Sequence, residues 1–496
     1  SPTPSPRFLL PPTARSLPES PLPSTSLPPA AMSNASTSVG APPKPTVDLS
    51  ATVAAALPEL EQLAKTNFPL ALEKMLELEK QTRAGEDMNS TSRVLVAIID
   101  TCFHAGDWVS LNEYLVLLAK RRGQLKHSIV KMVQHTIALI PQTPDQTTKL
   151  ALIDTLIAIT DGRIYVEVER AQLARLLAAI REASGDIPEA ADILQALQVE
   201  TFGSLSRTDK IDFILEQVRL LAAKGDYIRA GLAIRKISPR TFDRKASAKQ
   251  KKDRLSSEQA AARVEAAIMT DLKLRYLQLQ IVLAMHDEKF LDVCRFFRQI
   301  YDTVQHRAAQ RAQGLLPAEA ISGGDVEMTP APGPGGAGAS EEAALAGGAK
   351  ALEPSLDPSH VAVSQLKPTR TSAEDDDQQW RQALANMVVF ATLAPFDHEQ
   401  SDMLHRVAAE RRLSELPHSP DIIQAFTSSE LIVWSQFASK FGEYLSDQHR
   451  FGKEAKFKLA DVYFGRIVEH NIRIVSRYYQ RITLPRLSSM LFLDEN

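Results

Sequence analysis

Only two cysteines occur in 496 residues, Cys102 and Cys294, and neither has a CxxC companion. That excludes a disulfide framework and a thiolate metal knuckle. Both sit in apolar helical stretches, the pattern of reduced core thiols in a cytosolic or nuclear protein. Aromatic residues make up just 6 %, and glycine is sparse outside two segments, so Leu/Ala/Ile-rich helices are favoured over a β-rich fold. No apolar run reaches the 18 residues that would suggest a membrane span. No basic start followed by a compact apolar region marks a secretory signal. The net charge is only −3, which exerts no global pull toward nucleic acid or an anionic membrane. The chain opens on Ser1, not Met, which reads as a fragment or processed product. Met32 is the expected start, with residues 1–31 as extra sequence.

Catalytic motifs are missing too. There is no HExxH, no His-x-His, no phosphate-binding GxxxxGK[ST] and no GxSxG elbow. The eleven histidines are scattered; His104 and His135 fall on or beside helix faces and read as surface or satisfied core residues. No catalytic, cofactor-binding or metal residue is assigned, and no cofactor or small-molecule substrate is expected. One acidic run, Glu374 with Asp375, Asp376 and Asp377, precedes a helix and reads as its solvated first turn, favoured by the helix dipole. One basic stretch holds nine Lys/Arg, from Arg235 and Lys236 through Arg240, Arg244, Lys245, Lys249, Lys251 and Lys252 to Arg254. Its lone aromatic, Phe242, is too little for a nucleic-acid stacking surface, so a solvated extension between helices is expected, with a binding or nuclear-import role as the alternative.

What is present is helix, interrupted by proline-rich punctuation. Of 30 prolines, 13 fall within residues 1–45 and seven within 306–375, and the second segment also holds nine of the 21 glycines. Neither shows an apolar period, so both are expected to be disordered. The reading is therefore a disordered N-terminus over 1–47, a helical-repeat arm over 48–305, and a disordered insertion over 306–375. The helical part of a C-terminal module then occupies 376–453, and its last segment 454–496.

Across the arm, apolar residues recur at spacings of three and four, as in Val94, Leu95, Ile98, Ile99 and Cys102. Helices fit 93–104, 108–121, 125–140, 146–160, 166–183, 187–199, 208–223, 227–237, 262–284 and 288–302. The turns resemble one another: Ala105-Gly106-Asp107-Trp108, Ser184-Gly185-Asp186-Ile187 and Lys224-Gly225-Asp226-Tyr227. In each, Gly can take the left-handed position that ends one helix and Asp can cap the next. Asp145 falls near the skipped position, and His286-Asp287 closes a looser copy. Paired helices with a period near 40 residues predict an all-α, TPR-like solenoid of stacked hairpins.

After the insertion, helices are expected over 378–394, ending before Pro395, then near 399–412, 419–427 and 430–447. A long helix over 454–480 carries Val468, Ile472, Val475, Tyr479 and Ile482 at spacings of 4, 3, 4 and 3, a seam for one surface, internal or external. Thr483-Leu484-Pro485 then reads as the start of a short helix over 486–493, with Thr483 as its cap. Helix, Thr-capped turn and short helix are the opening of a winged helix. Its last helix and β-wing do not follow, so an incomplete winged helix is expected.

The segment Ile467 to Thr483, IVEHNIRIVSRYYQRIT, resembles the PCI module shared by the proteasome lid, the signalosome and translation initiation factor three. Glu79 to Arg83 (EKQTR), Ser90 to Arg93 (STSR), Lys120 to Lys126 (KRRGQLK), Ile164 to Arg170 (IYVEVER), Gln198 to Gly203 (QVETFG) and Leu393 to Asp402 (LAPFDHEQSD) narrow the resemblance. They point to the 26S proteasome non-ATPase regulatory subunit twelve family. The resemblance implies a helical arm followed by a PCI module with a winged helix, acting as a non-catalytic scaffold in the lid of the 19S regulatory particle. It implies as partners other lid subunits, the PCI-containing neighbours and the deubiquitinase-bearing ones. Membrane and nucleic acid are not expected partners, and the implied location is cytoplasmic and nuclear. A PCI subunit of the signalosome or of the initiation factor is the alternative.

Overall fold

The computed structural model describes residues 49–242, 256–312, 373–447 and 459–492. The N-terminal segment 1–47, residues 243–254 of the basic stretch, most of the 306–375 insertion and the expected helix start at 454 lie outside these. Among the described residues there are 18 α-helices and no strand. The arm opens with α1 (Ser50–Thr66), α2 (Phe68–Ala84), α3 (Met88–His104), α4 (Trp108–Lys120), α5 (Lys126–Leu139) and α6 (Gln146–Thr160). It continues through α7 (Glu167–Ala183), α8 (Ile187–Gln195), α9 (Arg207–Lys224), α10 (Tyr227–Ile234), α11 (Ser256–His286) and α12 (Phe290–Ala312). Then follow α13 (Ala373–Leu393), α14 (His398–Ala408), α15 (Ser419–Thr427), α16 (Trp434–Asp447), α17 (Leu459–Tyr478) and α18 (Leu484–Leu491).

The repeat is built by its turns. Gly106, Gly185 and Gly225 all have positive φ, at 69°, 87° and 86°, a conformation that costs an L side chain about 1–2 kcal/mol. The Asp after each caps the next helix: Asp107 accepts from Ser110 N, Asp186 from Glu189 N and Asp226 from Arg229 N. Asp87 does the same for α3, accepting from Ser90 N, with Glu86 before it in the left-handed conformation. Asp145 occupies a cap position without making the bond, and so does Thr483 ahead of α18. The helix caps fall at 87, 107, 125, 145, 166, 186, 206 and 226. A helix thus begins about every 20 residues, and a hairpin about every 40.

One hairpin cannot cover its own apolar face, so successive hairpins stack. Among the described residues the stack contains two apolar cores. One runs from Val53 to Leu177, and the other from Ala171 to Ile467, with α7 contributing to both. Buried charges stitch the second. Arg219, 1 % exposed, forks onto Glu182 of α7 and Glu216 of α9 at 2.5–3.0 Å. Arg275 of α11 pairs with Glu216 and with Asp212, which Arg175 of α7 also grips. Burial alone would lower the Arg219 pKa, but the two carboxylates outweigh it and raise it.

Two expectations need correction in this region. First, α12 runs on to Ala312 and α13 starts at Ala373, so both helices extend into the expected insertion. They pack along their length: Phe297 and Phe290 stack near Phe390, Tyr301 meets Trp380 edge-on, and the Cys294 thiol donates to Met387 O at 3.5 Å. Second, the acidic run is not simply a solvated turn. Asp376 is buried and paired with Arg307, itself 2 % exposed, and with Arg311, while Arg307 also reaches Asp271 at 3.1 Å. Asp377 does face outward, where it accepts from Trp380 Nε1 and Arg381. The single-sequence pattern showed only a charge run, because the cations that bury Asp376 lie on another helix.

Candidate interaction surfaces

The C-terminal module centres on α17, and its packed face differs from the apolar seam. Tyr463, Ile467, Ile474 and Val475 are buried, and between them so are His470 and Asn471. Ile472 is 45 % exposed and Tyr479 40 % exposed, so the Val468–Ile472–Val475–Tyr479–Ile482 seam does not pack as a unit. Polar residues on the inward face displaced the reading. Asn471 Oδ1 accepts from Ile432 N while its Nδ2 donates to Ile432 O, both at 2.9 Å. That reciprocal pair holds the non-helical residues before α16 against α17, and it satisfies backbone groups that burial would otherwise strand. Tyr463 Oη shares a 2.9 Å hydrogen bond with Thr392 Oγ1 of α13.

His470 is the module's buried imidazole. Arg473 can only donate, so Nδ1 accepts from it at 2.8 Å, and Nε2 donates to Glu430 O at 3.1 Å. The ring is therefore neutral. Burial lowers its pKa, and Arg473 and Arg477 push the same way. Arg473 lies 3.9 Å over the exposed Phe396 ring, in the LAPFDHEQSD turn between α13 and α14. Arg466 Nε caps α13 by donating to Leu393 O at 2.8 Å.

In the arm, the quoted EKQTR and KRRGQLK segments meet. Glu79 of α2 is fully buried and accepts from Arg83 at 3.1 Å, from Gln124 at 3.1 Å and from Arg121. Arg83 reaches on to Arg122 O at 2.8 Å. These segments are structural: a buried carboxylate needs partners, and the turn after α4 supplies them. Exposed apolar side chains sit elsewhere on the arm, at Val109, Leu117, Ile164, Ile228 and Leu232.

Among the described residues, no group of three or more His, Cys, Asp or Glu is arranged to hold a metal. None of the described helices is long and apolar enough to cross a membrane. Cys102 and Cys294 are buried and free, and burial pushes each thiol up to about 12, far from a reactive thiolate. His104 is exposed and bonds Asp100 O, and His135 bonds the Asp100 carboxylate at 2.6 Å, which raises its pKa. Of the basic stretch, Lys236 pairs with Glu200 at 2.8 Å and Arg235 and Arg240 are exposed.

A stacked-hairpin arm running into a PCI-type helical module, with buried ion pairs used for packing, defines a helical scaffold. The family model described as PSMD12/CSN4, N-terminal, matches residues 70–308. The 26S proteasome regulatory subunit rpn501 of Schizosaccharomyces pombe is 34 % identical over 450 residues, 90 % of this chain and 82 % of its own. The 26S proteasome non-ATPase regulatory subunit 12 homolog A of Arabidopsis thaliana is 34 % identical over 429 residues, 85 % of this chain and 81 % of its own. The 26S proteasome regulatory subunit RPN5 of Saccharomyces cerevisiae is 30 % identical over 459 residues, covering 92 % and 83 %. The chain belongs to this family of 26S proteasome regulatory subunits.

Proposed function

We propose that the chain is a non-catalytic scaffold subunit of the lid of the 19S regulatory particle, supporting lid assembly and ubiquitin-dependent protein degradation through protein–protein contacts. The observation that carries this is similarity to 26S proteasome regulatory subunits across most of the chain, arm and C-terminal module alike. The architecture supports it, since stacked hairpins present long surfaces. Its partners are the other lid subunits, both the PCI-containing neighbours and those bearing the deubiquitinase. It works without a cofactor, in the cytoplasm and the nucleus. The arm runs through α12 to Ala312 and the PCI module begins with α13 at Ala373, with residues 313–372 as an insertion between them. The signalosome and initiation-factor alternatives are not favoured, because the relatives that match nearly the whole chain carry proteasome names.

The test is affinity purification of the tagged chain from its own cells, followed by mass spectrometry. Stoichiometric recovery of proteasome lid subunits is expected. Recovery of signalosome or initiation-factor subunits instead would overturn the assignment.

A further inference from the structure

A groove of about 620 Å³ lies open between α4 and α6, lined by Asn112, Glu113, Val116, Leu117, Lys120 and Thr155, with Arg121 at one end. Leu117 is 44 % exposed and Val109, one turn before the groove on the same helix, is 70 % exposed. Val109 and Leu117 lie on an outward face of α4, distinct from that of Leu111, Leu115 and Leu118, which face the core. Residues 109, 112, 113, 116, 117 and 120 recur at the spacing of one helix face. On the α6 side Ala151, Asp154, Thr155 and Ala158 lie on one face, Thr155 lines the groove, and its hydroxyl is spent on Ala151 O at 2.8 Å. Asn112 Oδ1 is buried in the wall with no hydrogen-bond donor among the described residues.

Charge gives the groove a direction. Its far end is the KRRGQLK turn. Arg121 and Gln124 are committed to Glu79, and Arg122 O to Arg83, but the Lys120 and Arg122 side chains have no carboxylate partner among the described residues. Lys120 thus stands at one end of a groove that rises roughly 12 Å from Asn112 and Glu113, with the exposed Arg122 two residues further on in the turn. That length suits two turns of a docked helix.

The geometry points to a docking site for an amphipathic helix of another protein. Its aliphatic side chains fill the space beside Val116 and Leu117, and its acidic end lies against Lys120 and Arg122. This is the helix-in-groove mode, with charge setting register and orientation. It goes beyond membership of the lid and stands whether or not that assignment holds.

The test uses the full chain and a fluorescein-labelled, stapled 14-residue peptide, with leucines at 3–4 spacing and two glutamates at one end, read by anisotropy. A twin peptide ends in two lysines. Saturable binding of the glutamate peptide is expected, weakened at least tenfold by Leu117→Glu and about fivefold or more by the Lys120→Glu/Arg122→Glu pair. The pair should in turn favour the lysine twin. All three residues are at the surface, so unchanged helicity and melting by circular dichroism distinguish lost docking from lost fold. Three outcomes would overturn the proposal. One is absence of saturable binding, and another is equal binding of both peptides by the wild type. The third is light scattering that shows a dimer broken by Leu117→Glu, which would make a second copy the occupant.

Discussion

Asp376 shows what a single buried charge contributes. It sits between Arg307 and Arg311, and removing it takes away a counter-charge that two nearly inaccessible guanidinium groups share. Breaking a buried pair costs more than the pair contributes, because desolvation is no longer offset. Arg307 keeps Asp271 and Gln379, so Asp376→Ala should cost about 3 kcal/mol, at the low end for such pairs. A shift of the urea midpoint without a change in slope checks this. His470 makes a prediction in pH. Its folded pKa lies below the ordinary value of 6.5, so acid protonates the unfolded chain first. The stabilising contribution of the neutral ring is complete above pH 6.5 and is lost as pH falls through the folded pKa. Relative to His470→Gln, the wild-type chain should therefore lose thermal stability between pH 7.5 and 5.5. His135 has the opposite sign, since its pKa is raised: its contribution is complete below 6.5 and declines as pH rises through the folded value. A wild-type minus His470→Gln difference that stays flat in pH would show that the ring is not held neutral.

At the level of the element, turns and stripes can be tested separately. A Cβ at Gly225 would meet nothing within 4 Å, so Gly225→Ala is penalised only by its φ of 86°. A loss of about 1–2 kcal/mol is expected, similar to the ~1 kcal/mol for removing the Asp226 cap. Chemical denaturation of both single variants checks it. On α17, Ile472→Glu should leave the melting curve nearly unchanged, whereas Ile474→Ala should cost about 2–5 kcal/mol, because only Ile474 is packed. Equal effects would mean that both faces of α17 are covered.

For the whole molecule, the joint between arm and PCI module is the element pair α12 and α13, which pack side by side although residues 313–372 separate them in sequence. The ion pairs from Arg307 and Arg311 to Asp376 lock their adjoining ends together. Replacing 313–372 with a short Gly/Ser linker should therefore preserve helicity and melting. Shortening the closed loop several-fold even saves ~1–2 kcal/mol of closure entropy. A large loss of helicity would show that the segment contributes to the fold.

The sequence alone determined which stretches are helical, where most of them stop and how often they repeat, because these are local properties. Gly106, Gly185 and Gly225 fix the turns, the aspartates after them supply the caps, and apolar spacing fixes the helix faces. It also carried the family, through segments such as EKQTR and KRRGQLK. Tertiary structure decided which face of α17 turns inward, because Asn471 and His470 find backbone partners on residues 430–432 that no periodicity can reveal. It decided that Asp376 is buried rather than solvated, because the arginines that neutralise it come from α12. It likewise decided that the outward face of α4 is left open, since coverage depends on where α6 packs and not on the residues of α4. Local interactions choose the element; the energetic balance between desolvation and distant partners chooses its face.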